Sequence, residues 1–210
     1  MNSVRYFAEM DILSMKPYRR YLILLVLPLF GIGQTPALAV QLLTFLSLTS
    51  FSSYLFASED KNDMRRLYGI LPVSVKDIVL GRYLACISGV VAYCLAMTAL
   101  LCACAAFTGL PIYSVIYTMI VCTGLIFVSV AVQFPIFFKV GFIKGKGAAV
   151  APSFVLLAVI LLFRQAWQLD FLSASLLYEP LGSLGVLSAG IVALVLSVFL
   201  SVWFYRGREE

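Results

Sequence analysis

Long apolar runs alternate with short polar connections along the chain. A membrane-spanning helix takes about 20 apolar residues. Six runs approach or exceed that length: residues 21–33, 36–57, 78–107, 112–138, 148–163 and 183–205. The first is short and holds Pro28, a kinking residue, and the fifth is near the lower limit for a span. Ahead of the first run, Arg5, Glu9 and Lys16 share one helical face, with Val4, Phe7, Ala8 and Met15 roughly opposite. That pattern suits a helix lying in the membrane interface. Residues 164–182 mix Trp167, Phe171, Leu172 and Tyr178 with polar side chains, as an interfacial or shallow re-entrant segment does. The predicted fold is an all-α integral membrane protein. One domain over 1–210 holds six transmembrane helices, an N-terminal interfacial helix, and a re-entrant or interfacial segment before the last span.

Three of the runs carry a finer pattern. Ser74 and Asp77 form a capping box ahead of the third, with oxygens for the orphan amides of a helix start. Along that run Ala85, Gly89, Ala92, Ala96, Ala99, Ala103 and Ala106 alternate four and three apart, so they share one face. Small residues let helix backbones approach closely in lipid. The last run repeats the device every fourth position, at Gly185, Ala189, Ala193, Ser197 and Ser201. In the second run, Gln41, Thr44 and Ser52 fall within an arc of about 80°. They are candidates for lining a pathway. Interhelical hydrogen bonding is the preferred reading, because the other hydroxyls of that run scatter around the helix.

Composition narrows the class. The 210 residues are 62% hydrophobic and only 12% charged, with a mean hydropathy of +1.03. A soluble domain is about 25% charged. The net charge of +5 does not point to nucleic acid, because the basic residues sit at the ends of apolar runs. With six spans, every Lys and Arg except Arg164 falls on one side, Arg82 being counted with the connection before the third span. The positive-inside bias makes that side cytoplasmic, together with both termini. There is no histidine, and the five cysteines lie inside apolar runs without a CxxC pair. No metal site is expected, and buried thiols acting as small apolar groups explain the cysteines. An intramembrane enzyme needs conspicuous ionisable groups within spans. With Arg82 assigned to the connection, none is expected there, so no catalytic residue is assigned. "KVGFIKGKG" at Lys139–Gly147 lacks the spacing and the Ser or Thr of an ATPase phosphate loop, and reads as a basic turn.

The polar exception is "SEDKNDMRRLYGILPVSVKDIVLGR", Ser58–Arg82. Its local chemistry is a short capped helix followed by a turn. The pattern predicts Ser58 as N-cap, Glu59 and Asp60 in the first turn, Arg65 and Arg66 in the last, and Gly69 as the helix end. Leu71-Pro72-Val73 then turns the chain into the third span. Its apolar surface, at Met64, Leu67, Tyr68, Ile70, Leu71 and Val73, suits either lipid headgroups or a cytoplasmic partner.

The stretch resembles the cytoplasmic loop of small type-2 ABC exporter permeases. Their usual form is an acidic-Lys-Asn start, then Leu-Pro-Val-Ser, a basic residue, Ile-Val and a basic-aromatic pair. Glu59, Asp60, Lys61, Asn62, Leu71, Pro72, Val73, Ser74, Lys76, Ile78, Val79, Arg82 and Tyr83 supply that pattern. Met64 stands where an aromatic is common, and Val75 displaces the basic residue after Ser74. The resemblance implies a bacterial plasma-membrane exporter of peptides or small amphiphiles, in which two permease subunits, identical or homologous, form the pathway. It implies no cofactor in this chain, with ATP and Mg bound by separate ABC ATPase subunits. The loop over 58–77 would be the coupling element. Glu59, Asp60, Asn62, Arg65 and Arg66 would be its polar contacts, and Met64, Leu67, Leu71 and Pro72 its apolar anchor and turn. The alternative is the substrate-binding membrane subunit of an energy-coupling-factor vitamin importer, similar in length and span number. Such subunits carry small residues on the first span, whereas here that span is nearly all Leu, Ile and Val.

Overall fold

The structure, a computed structural model, describes residues 2–14, 52–57, 74–108, 111–145, 147, 151, 154–155 and 180–209. The first predicted span lies outside the described residues. So do most of the second and fifth, residues 58–73, and residues 164–179. All regular structure among the described residues is helical: α1 (Asn2–Ser14), α2 (Val75–Thr108), α3 (Ile112–Val140) and α4 (Pro180–Glu209). Residues 52–57 add a further helical piece. Among the described residues, three helices have the length and composition to cross a membrane, over Val75–Ala103, Val115–Val140 and Pro180–Gly207.

Local chemistry sets the ends of these helices. Ser74 Oγ accepts the Asp77 amide at 3.2 Å, so the N-cap of α2 is made. Pro111 opens α3 without a side-chain cap, in extended backbone at φ −67°. Gly141 closes α3 at φ 84°, and its N–H donates to the Phe137 carbonyl at 2.8 Å. A positive φ there is a conformation that glycine adopts without strain.

α3 is the central element, packed along most of α4 and also against α2. It approaches α4 most closely at two glycines. A Cβ on Gly190 would lie 2.6 Å from the Gly124 carbonyl oxygen, and one on Gly124 would lie 2.8 Å from that of Val186. Neither helix tolerates a side chain at the crossing, because the obstacle is backbone. α1 docks on the start of α2. A Cβ on Gly81 would meet the Phe7 Cβ at 2.6 Å and the Val4 carbonyl at 3.1 Å. The Val4–Phe7–Ala8 face expected to enter the membrane interface is therefore covered by protein, with Phe7 and Ala8 buried. Tyr6, Ile12 and Leu13 are exposed instead. The Arg5–Glu9 pair forms at 3.1 Å on the surface.

Candidate functional site

The connection 58–73 is flanked by residues 52–57 and by α2, and these two stems meet the C-terminal end of α3. Ser52, Leu55 and Phe56 are fully buried. Ser52 and Phe56 are one helical turn apart and point the same way. Ser52 Oγ donates to Gln133 Oε1 at 2.7 Å, across 81 residues of sequence. Phe56 meets three rings of α3: Phe134 at 5.0 Å edge-on, Phe137 at 4.8 Å and Phe138 at 5.1 Å edge-on. Each such pair adds about 0.5–1.5 kcal/mol beyond area burial.

Arg82 stands over this cluster. Its guanidinium lies 4.7 Å from the centre of the Phe56 ring and 5.7 Å from that of Phe138. It is 1% exposed. Arg82, counted in the sequence with the aqueous connection, is instead a buried residue of a helix. Arg82 is inside α2, seven residues from its start, about 10 Å along the axis at 1.5 Å per residue. A buried cation costs several kcal/mol in desolvation unless it is compensated. Two ring faces contribute to that compensation, at about 2 kcal/mol for a desolvated cation–π contact, and they are not all that Arg82 interacts with.

Tyr83, the next residue, reaches the other way. Pro135 lies inside α3 and has no N–H to give to the Ala131 carbonyl four residues back. Ser197 of α4 donates to that carbonyl at 2.6 Å. Its single proton is then committed, so at 2.5 Å it accepts from Tyr83. Tyr83 has one proton as well, so Ser201, at 2.9 Å, donates to the Tyr83 oxygen. The result is a directed chain, Ser201 to Tyr83 to Ser197 to Ala131, through α4, α2 and α3. It satisfies, in an apolar surrounding, a carbonyl that the proline freed. Tyr83 also packs edge-on against Phe134 at 4.7 Å, and Phe138 against Tyr205 at 5.7 Å. One polar and aromatic cluster therefore joins both stems of the connection to α3 and α4.

The residues singled out in the sequence fall as follows. Glu59, Asp60, Asn62, Met64, Arg65, Arg66, Leu67, Leu71 and Pro72 lie outside the described residues, as do Gln41 and Thr44. Ser52 is buried in its bond to Gln133. On α2, Ala85 is buried and Gly89 half-buried, whereas Ala92, Ala96 and Ala99 are exposed. On α4, Gly185 and Ala189 are exposed and Ala193 is half-buried. Among the described residues no cluster of metal-ligating side chains occurs. Phe56, the Phe134–Phe138 run and the Gly124–Gly190 crossing were not singled out, and Arg82 entered only as the basic member of the family pattern and not as a buried cation. The signal for Arg82 is a lone charge in "IVLGRYLACI", eight residues beyond a good N-cap.

Three helices able to span a bilayer, built around buried polar clusters, define a polytopic membrane protein. The profile of the family described as ABC-2 family transporter protein matches residues 9–206, nearly the whole length, and the chain belongs to that family. It is a membrane-embedded, multi-pass permease of an ABC transporter, and the family implies partnership with ABC ATPase subunits. Comparison with curated proteins and with solved structures gives no match.

Proposed function

We propose that this chain is the permease subunit of an ATP-driven exporter in a bacterial plasma membrane. It crosses the bilayer six times with both termini cytoplasmic, and it carries peptides or small amphiphiles outward. Two permease subunits form the pathway. ATP and Mg bind to separate ATPase subunits, and residues 58–73 receive the push of those ATPases. The observation that carries this reading is the family match over 9–206. The position of the connection supports it, because both flanking stems are packed into one buried cluster with the end of α3. The exposed Ala92, Ala96 and Ala99 on α2 leave room for a second subunit's helix at close range. The importer-subunit alternative gains nothing from the family match.

The test is co-expression of the tagged chain with the ABC ATPase of its own host. The wild-type chain should retain the ATPase through purification. Leu67→Asp places a charge in the apolar anchor, and should release the ATPase while the permease stays folded in the membrane. Arg65→Glu with Arg66→Glu should weaken retention in a salt-dependent way. A Leu67→Asp chain that keeps its ATPase and its transport at wild-type level removes the connection from the coupling role.

A further inference from the structure

Phe56 is the last bulky residue of the stem that enters the connection, and Arg82 lies two turns into the stem that leaves it. Both are buried, and the guanidinium sits 4.7 Å above the ring. Its second ring contact, Phe138 at 5.7 Å, belongs to the end of α3. A cation held between rings of two other helical segments is a directional tie, because the attraction falls off once the charge leaves the ring face. The burial of apolar surface by itself has no such directional preference. We propose that Arg82 is a positioning residue for coupling. It locks the two stems of the 58–73 connection to the end of α3, so that a force on the connection moves the stems and α3 as one body. The inference rests on the exporter reading and adds the residue through which the push enters the membrane helices.

Arg82 therefore has a different phenotype from the docking residues. Replacing it leaves the connection intact, so the ATPase stays bound, but the response of the membrane helices to nucleotide is lost. The experiment uses the full-length complex with its co-expressed ATPase in lipid nanodiscs. The native cysteines are replaced, and a single reporter cysteine stands at Leu184, an exposed residue near the start of α4. Its labelling rate with an impermeant thiol reagent is measured with and without ATP and vanadate. The wild-type rate should change at least three-fold on trapping. In Arg82→Gln the change should fall below 1.5-fold with the ATPase still retained at wild-type stoichiometry. Arg82→Lys keeps the charge and should recover part of the response. Phe56→Leu removes the ring and should lose it, whereas Phe56→Trp should retain it. Fluorinated phenylalanines at position 56 guard against misfolding, because they keep the ring's shape while weakening its negative face. The response should decline stepwise with fluorine number.

A wild-type response in Arg82→Gln, or no trend across the fluorinated series, overturns the proposal. So does loss of the ATPase from a folded Arg82→Gln complex, which makes Arg82 part of docking instead. A wild-type complex that binds no ATPase removes the exporter reading and this inference with it. Leu67→Asp distinguishes the two levels, since it should lose the ATPase where Arg82→Gln keeps it.

Discussion

The two halves of α2 are built on different plans. From Ile78 to Cys86 every residue except Leu80 and Leu84 is buried, and the segment meets α1, residues 52–57, α3 and α4. Beyond Val90 only a narrow seam remains inside, at Cys94, Met97 and Ala105, while Val91, Leu95 and Leu100 are exposed with the alanines between them. The first half is held by rings, a cation and a hydrogen-bond chain, each with a preferred geometry. The second half is held by apolar packing on one side. A helix made this way is fixed to its neighbours at the connection end and free to adopt other packing at the far end. That is the arrangement needed by a part that takes a push at one end and moves a membrane pathway at the other.

Breaking the fixed half should be costly. Phe56→Ala removes a ring that touches three others, and should destabilise the chain by about 3–5 kcal/mol. Leu95→Ala, at a position 66% exposed, should stay within about 0.5 kcal/mol. Unfolding in mixed detergent micelles measures both, and equal effects would erase the contrast between the halves.

The α3–α4 crossing comes next. Gly190→Ala forces a methyl group toward the Gly124 carbonyl, and should cost about 1–3 kcal/mol in the same assay. Ala189→Val, one residue away on the exposed face, should be nearly neutral.

The hydrogen-bond chain is smaller but more specific. Ser197→Ala leaves the Ala131 carbonyl without its donor, and should cost about 1 kcal/mol, within the range measured for polar contacts in membranes. Pro135→Ala restores an N–H for that carbonyl. In the Pro135→Ala background the Ser197→Ala cost should shrink, so a double-mutant cycle should give a coupling energy of about 0.5–1 kcal/mol. Simple additivity would mean that Ser197 does not serve the carbonyl that the proline freed.

The smallest effect on the single chain is expected from Ala96→Leu, on the exposed face of the free half. Its stability should change by no more than about 0.5 kcal/mol. The same substitution should shift permease pairs toward single subunits in native mass spectrometry, because a bulky side chain separates closely packed backbones. An unchanged pair distribution would give that face to lipid.

Much of the fold is legible in the sequence where one local pattern decides it. Apolar run length marks a helical membrane protein, and Ser74 with Asp77 marks the start of α2, where the cap bond forms. The contacts between helices are less legible. On α4 a strict four-residue repeat advances about 40° per step, so Gly185 through Ser201 spread over about 160°. Only Ser197 and Ser201 of that set reach the buried seam. The seam follows Ser183, Gly190, Leu194, Ser197 and Ser201, all buried, with the half-buried Leu187 completing an alternation of four and three. Arg82 was assigned to the aqueous connection because its compensation comes from Phe56 and Phe138, 26 residues before it and 56 after. No local pattern displays a partnership of that range. The same holds for Ser52 with Gln133, and for Pro135, whose effect is answered by a serine on another helix.

Whether the connection end is where the energy enters can be measured with a photo-crosslinking side chain at position 67 and, separately, at position 95. The complex with its co-expressed ATPase is irradiated in native membranes. Crosslinking from 67 should give an adduct of permease plus ATPase that is lost in Leu71→Asp. Crosslinking from 95 should give lipid adducts or permease pairs and no ATPase. An ATPase adduct from 95, or none from 67 in a complex that retains its ATPase, would contradict the assignment of the two ends.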